Sequence, residues 1–311
     1  MKKSPIENGQ LAEYLKKMED DSKAVYLLSG GQARLTVVSS THIVNQMKAN
    51  HRLGLLETYI LGQAYTAGLL LTSTIKGNDR VILTIECGGP VKGLSVEAWA
   101  CGAVRGYLLQ NPIPLTEELK SLDTSMLFGP GFITVSRLLE GSKEPVSGTV
   151  MMQYGNIAKD LAVYFDESEQ TPTLFYISLQ FDSKAEVTGA GGLFIQAMPG
   201  CSDETLASLS SKASALSNLG RAVSEGKTVS DYIEAEFAAF SPEKLSESFV
   251  AFSCPCTREH FQSYLSKLPQ KEKDEILAGT FPLELECFNC GTVYSFTKSE
   301  VEALFEKEKD R

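Results

Sequence analysis

Four cysteines carry the most pointed chemistry of this 311-residue chain: Cys254-Pro-Cys256 and, after thirty intervening residues, Cys287-Phe-Asn-Cys290-Gly291. Four thiolates suit a tetrahedral zinc ion, and four protein ligands close its coordination sphere. A closed sphere leaves no place for a catalytic water, which argues against a zinc hydrolase. The Cys-x-x-Cys-Gly half reads as a zinc knuckle, with a turn that aims two sulfurs at one ion and a glycine that relieves crowding of the backbone. The Cys-x-Cys half is less usual in structural zinc modules. Zinc keeps cysteines as thiolates, the form that oxidants attack. If the ion leaves, each pair can close a local disulfide, Cys254–Cys256 and Cys287–Cys290, because loop closure grows costlier with length. A Cys-Pro-Cys ring is small, so it should be strained and easily reduced again. Spacing alone leaves two readings open, a redox switch that cycles and a zinc ribbon that never does.

Other candidate residues are weaker. His260 lies in Thr257-Arg-Glu-His, which reads as a capped helix start, so a solvent-facing histidine is expected there rather than a fifth donor. His42 and His51 stand near no other plausible ligand. Cys87, Cys101 and Cys201 are isolated in sequence and read as buried small hydrophobes. Gly189-Ala-Gly191-Gly192 lacks both a phosphate-loop ending and Rossmann spacing, so no nucleotide site is expected. Neither a Gly-x-Ser-x-Gly elbow nor an HExxH motif occurs.

The formal net charge is -10, from 29 Lys plus Arg against 39 Asp plus Glu. Such a chain repels phosphate backbones and anionic lipid, so neither nucleic acid nor a membrane is an expected partner. The opening MKKSPIENGQLAEYL has no apolar stretch after its lysines and does not read as a secretory signal. The most apolar run, Leu53–Ile75, includes Glu57 and Gln63 and reads as a buried core helix rather than a span. The expected address is the reducing cytoplasm, where close-spaced cysteines serve metal or redox chemistry.

The elements that must position the cysteines fall into three parts. Residues 1–202 alternate strand and helix signals. A hairpin is expected about Gly30-Gly31, helices over Thr41–Asn50 and Asn156–Glu167, and strands over Val81–Glu86, Gly93–Trp99, Ala103–Leu109, Phe132–Leu138, Thr149–Gln153, Thr173–Phe181 and Leu193–Met198. This order indicates an α+β core, a mixed sheet packed on helices. Residues 203–250 are rich in Ser, Ala and Glu with no strong strand signal, and Leu206, Leu209, Ala213, Leu216 and Leu219 follow helical spacing. By composition this is a helical connector whose thin stripe needs a partner surface. Residues 251–311 hold the cysteine pairs and too few apolar residues to be robust without a staple.

Together these residues resemble the redox-regulated heat-shock holdases of bacteria, the thirty-three-kilodalton heat-shock protein family. The resemblance extends beyond the cysteines to Gly89-Pro90 with Gly106, to Gly155-Asn-Ile-Ala-Lys-Asp-Leu161 followed by Tyr164 and Ser168–Thr173, and to Ala190-Gly-Gly192 with Gln196 and Pro199. Cys87-Gly88 replaces a more polar turn, and the three extra thiols also depart from the pattern. The resemblance implies an α+β core domain, a metastable helical linker lying on it, and a zinc domain folded only while reduced. It implies one zinc on Cys254, Cys256, Cys287 and Cys290, activation by oxidation and zinc release, capture of unfolding client proteins without ATP, and a homodimer in the oxidised form. Two rivals remain at this level. A zinc-ribbon nucleic-acid binder is disfavoured because Ala251–Arg311 has eight Lys or Arg against eleven Asp or Glu. A thiol-disulfide oxidoreductase using Cys287 and Cys290 would need a thioredoxin-like βαβ context, which Leu283–Cys290 lacks.

Overall fold

The computed structural model describes residues 3–115, 121 and 123–309, and they fall into two compact units, one over Ser4–Phe252 and one built on Ser253–Arg311. The first unit runs α1 (Gly9–Leu15), β1 (Ser22–Leu28), β2 (Ala33–Ser39), α2 (Thr41–His51), α3 (Leu55–Leu71), β3 (Arg80–Cys87), β4 (Gly93–Trp99), β5 (Ala103–Leu108), α4 (Ser125–Phe128), β6 (Gly131–Leu138), β7 (Val146–Met151), α5 (Ile157–Glu167), β8 (Thr173–Phe181) and β9 (Val187–Ala197). It continues through α6 (Asp203–Ser214), α7 (Leu219–Ser224), α8 (Val229–Phe237), β10 (Glu243–Phe249) and β11 (Ala251–Phe252). The stretch expected as a linker, 203–250, therefore lies within the first unit.

Its strands form a five-stranded sheet, β10-β1-β2-β9-β8, and a six-stranded sheet, β11-β5-β4-β3-β6-β7. Every pairing is antiparallel except β11 on β5, so the architecture is α+β, as the mixed strand and helix signals indicate. The apolar run at Leu53–Ile75 becomes α3, which packs on strands of both sheets and buries nearly every side chain, including Glu57 and Gln63. Glu57 offsets its burial by accepting a hydrogen bond of 2.8 Å from the Ile113 amide. Among the described residues no helix is long and apolar enough to cross a membrane.

Sequence periodicity marks β8 and β4 at their ends, but β9 starts six residues before the expected Leu193. Glycine hides its first half. A Cβ at Gly189 would sit 1.9 Å from the Gly220 carbonyl oxygen, and one at Gly192 would lie 3.0 Å from Thr66 and Leu70 of α3. These glycines admit a helix against each face of the strand. The stripe from Leu206 to Leu219 is not one helix, because Ala215–Asn218 interrupt it and the Asn218 side chain caps α7 by accepting from the Arg221 amide. Strand β10 lies in the stretch where the sequence shows no strong strand signal. Its residues, Glu-Lys-Leu-Ser-Glu-Ser-Phe, are exposed along an edge, where a charged sequence discourages further pairing.

On one face of the five-stranded sheet, side chains two apart line up: Ala24, Tyr26 and Leu28 on β1, Ala33, Leu35 and Val37 on β2, Leu193 and Ile195 on β9. Helices α6, α7 and α8 cover this face with Leu209, Leu219, Val223, Ile233 and Phe237, and Leu216 packs there only in part. The Tyr14 hydroxyl of α1 ties down α7 by donating to the carbonyls of Thr188 at 2.7 Å and Ser224 at 3.3 Å.

The second unit contains α9 (Arg258–Ser266), α10 (Gln270–Ala278), the hairpin β12 (Leu283–Glu286) with β13 (Val293–Phe296), and α11 (Lys298–Lys309). Its buried apolar core consists of Leu265, Phe296, Val301 and Phe305, with partly buried residues around them. Domains with a core of this size commonly carry a further constraint such as a disulfide or a metal.

Candidate metal centre

The cysteines are held by local backbone chemistry. Cys254 and Cys256 lie on the extended approach to α9, whose first turn is fixed by the Thr257 side chain accepting from the His260 amide at 3.2 Å. Cys287 and Cys290 sit at the tip of the β12–β13 hairpin. There the Cys287 carbonyl accepts from the amides of Cys290 at 3.1 Å and Gly291 at 2.8 Å, and the Cys287 amide donates to the Thr292 carbonyl at 2.9 Å. Gly291 has φ +65°, a left-handed conformation that glycine adopts without a Cβ penalty.

These two stretches bring all four sulfurs within 4.8 Å of one another, all from buried residues. Cys254 and Cys287 sulfurs are 3.8 Å apart, and those of Cys256 and Cys290 are 3.4 Å apart. A tetrahedron with metal–sulfur bonds of about 2.3 Å has edges of about 3.8 Å, so the cluster has the size of a four-thiolate cage. Four close cysteines of this kind can bind a metal ion. Left to themselves the two hairpin thiols, Cys287 and Cys290, resist ionising. Hydrogen bonding from Cys254, then from Cys290, holds Cys287 far above the ordinary thiol range. Cys290 is pushed up to about 11, with Cys254 again the leading cause. A bound cation inverts this bias, because a coordinating thiol loses its proton outright.

Hydroxyl groups of Thr292 and Tyr294 touch the sulfurs. Thr292 Oγ1 lies 3.1 Å from Cys290 Sγ. The Tyr294 hydroxyl lies 3.0 Å from the Cys256 carbonyl oxygen and 3.2 Å from Cys256 Sγ. Tyr294 is not among the residues whose type and spacing point to chemistry in the sequence. Its position four residues beyond Cys290 on a strand was the available signal, but its partner lies on the other cysteine arm. Arg258 braces the same unit from outside. Its guanidinium stacks 4.2 Å from the Phe296 ring centroid and donates to the Ser295 carbonyl at 2.6 Å and to Glu300 at 2.8 Å.

The remaining candidates are not members of this four-cysteine group. His260 is exposed. His42 lies in the first unit, its Nε2 2.9 Å from the Leu15 carbonyl and its Nδ1 3.5 Å from Asp21. The Asn111 side-chain amide donates to the His51 carbonyl at 3.2 Å. The three isolated cysteines correct the sequence reading: Cys101 is exposed, and Cys87 and Cys201 are only partly buried. Each sits at a turn, Cys87 at the end of β3, Cys101 between β4 and β5, and Cys201 ahead of α6, where a small side chain is not drawn into the core.

Comparison with known proteins agrees with this layout. The family model described as Hsp33 protein matches residues 21–297. The chain is 33% identical to the 33 kDa chaperonin of Geobacter sulfurreducens, over 88% of this chain and 91% of that protein. It is 31% identical to that of Bacillus subtilis, over 88% and 94% respectively. A crystal structure of the 33 kDa chaperonin, heat shock protein 33 homolog, from Thermotoga maritima superposes with a TM-score of 0.83 at 27% identity, covering 94% of this chain and all of that one. The chain belongs to the Hsp33 family, and its role is that of a chaperone.

Proposed function

We propose that this protein is a redox-regulated, ATP-independent holdase, idle while reduced and zinc-loaded and active once its cysteines are oxidised. The observation that carries the reading is the buried cluster of four sulfurs in a unit with a small apolar core. Cys254, Cys256, Cys287 and Cys290 would hold one zinc, and all-sulfur donation at this spacing favours zinc over harder cations. When bound, the ion keeps four thiolates together and supplies folding free energy to the unit. In the active form the protein would bind unfolding clients stoichiometrically, as a chaperone and not an enzyme, in the cytoplasm and paired with a second copy.

The chain's own residues then account for the switch. Hydrogen peroxide takes two thiolates to one disulfide and leaves as two hydroxides, so Cys254–Cys256 and Cys287–Cys290 disulfides consume the ligands two at a time. Without a filled cage the small unit loses its staple. The thin-striped helices α6–α8 would then leave the sheet, and the apolar row of Tyr26, Leu35, Val37 and Ile195 becomes the surface that captures clients. The test is light scattering from a thermally unfolding client. Oxidised, zinc-free protein should suppress aggregation near one equivalent, and reduced, zinc-loaded protein should not. Equal suppression by both forms overturns the proposal.

A further inference from the structure

We propose that Tyr294 is a positioning residue of the cysteine switch: by donating its hydroxyl to Cys256 it pins the Cys254–Cys256 arm to the Cys287–Cys290 hairpin and slows oxidation of that arm. The inference rests on the four-cysteine zinc reading and deepens it. Tyr294 stands on β13 opposite Leu285 of β12, and so belongs to the hairpin that carries Cys287 and Cys290. Its ring packs on Phe261 of α9, centroids 4.9 Å apart, on the side of the other arm. Its hydroxyl reaches both the carbonyl oxygen and the sulfur of Cys256, at 3.0 and 3.2 Å. The Thr292 hydroxyl, by comparison, lies 3.1 Å from Cys290, a sulfur only two residues away on its own arm. The Tyr294 contact spans 38 residues and links the two arms without passing through the ion.

A phenol has one proton to give, and a thiolate takes it more strongly than a neutral carbonyl, because hydrogen bonds to ionised acceptors are the stronger class. In zinc-loaded protein Cys256 Sγ is therefore the favoured acceptor. A sulfur that accepts a hydrogen bond donates less charge to its metal and is a weaker nucleophile. In the attack of Cys256 on hydrogen peroxide, a sulfur–oxygen bond forms as the oxygen–oxygen bond breaks and hydroxide leaves. Cys254 thiolate then displaces the second hydroxide to close the disulfide. The Tyr294 hydroxyl opposes the first step, and its anchoring of the arm opposes escape of the ion.

The experiment compares full-length wild type and Tyr294→Phe, which keeps the ring and removes only the hydroxyl. Each is loaded with Co(II) for spectroscopy and with Zn(II) for release kinetics, with metal content measured first. In the variant the thiolate-to-cobalt charge-transfer band should move to lower energy, because one sulfur has lost its hydrogen bond. Zinc release under a fixed excess of hydrogen peroxide should quicken by roughly 2- to 10-fold, the rate equivalent of one ordinary hydrogen bond. An unmoved band overturns the proposal whatever the release rate, since a merely structural hydroxyl would leave the sulfur's electronics alone. Equal release rates at equal loading overturn it as well. If wild type itself holds no metal, the four-cysteine reading fails first and takes this inference with it.

Discussion

Gly189→Ala separates the covering of the sheet from the chemistry of the cysteines. The Gly189 φ lies outside the left-handed range, so alanine meets no backbone strain there. What it meets is α7. The added carbon would sit 1.9 Å from the Gly220 oxygen and 2.9 Å from the Ser224 nitrogen, and neither is a flexible side-chain tip. Ordinary contact needs about 3.5 Å, so α7 must retreat by roughly 1.5 Å. Overpacking of this kind costs about 1–3 kcal/mol, and here it falls on a six-residue helix anchored by Leu219, Ala222 and Val223. If that cost is taken from local opening, amide exchange over Leu219–Ser224 and Val229–Phe237 should quicken by about 5- to 150-fold. Exchange in β3–β6 should not change. Zinc content should stay at one equivalent, yet the reduced variant should suppress client aggregation in part. Unchanged exchange over 219–237 would refute the packing argument. Faster exchange with no holding activity until oxidation would refute release of these helices as the activating step.

Two further outcomes concern the cysteines. Cys287→Ser should lose most of the single zinc measured by elemental analysis and destabilise 253–311 selectively, because metal binding in so small a unit is folding free energy. Peptide mapping after peroxide under mild unfolding should find Cys254–Cys256 and Cys287–Cys290. In the folded cluster the sulfurs also approach across the two arms, Cys254 to Cys287 at 3.8 Å and Cys256 to Cys290 at 3.4 Å. Predominance of those cross-links would mean that the disulfides close before the arms separate.

Features that depend on neighbours in sequence were legible, and those that depend on packing across the fold were not. The cysteine spacing declared its cluster because two-residue turns aim sulfurs locally. Ile157, Leu161 and Tyr164 share the buried face of α5 as their spacing implies, and Asn156 caps that helix by accepting from the Lys159 amide. Apolar residues beyond Phe252, among them Phe261, Leu268, Ile276 and Leu304, gather on the buried core of the second unit. Gly189 shows the opposite case. Its value lies in the approach of Gly220, thirty-one positions away in the chain, and a glycine run by itself reads as a break. Strand β10 was hidden because an edge facing water carries the composition of a loop. Cys87, Cys101 and Cys201 were assigned by the average habit of free cysteine, and turn positions overrode that habit. Tyr294 was legible as a residue but not as a contact, since nothing local links it to Cys256.

The central claim is that filling of the sulfur cage governs whether α6–α8 cover the sheet. The most direct test follows hydrogen exchange over 203–250 and 253–309 in one sample while hydrogen peroxide drives zinc release. The account predicts that exchange over 253–309 accelerates in step with zinc release and that 203–250 follows, with client binding rising alongside the second change. Protection of 203–250 that persists after zinc has left and clients have bound would contradict it.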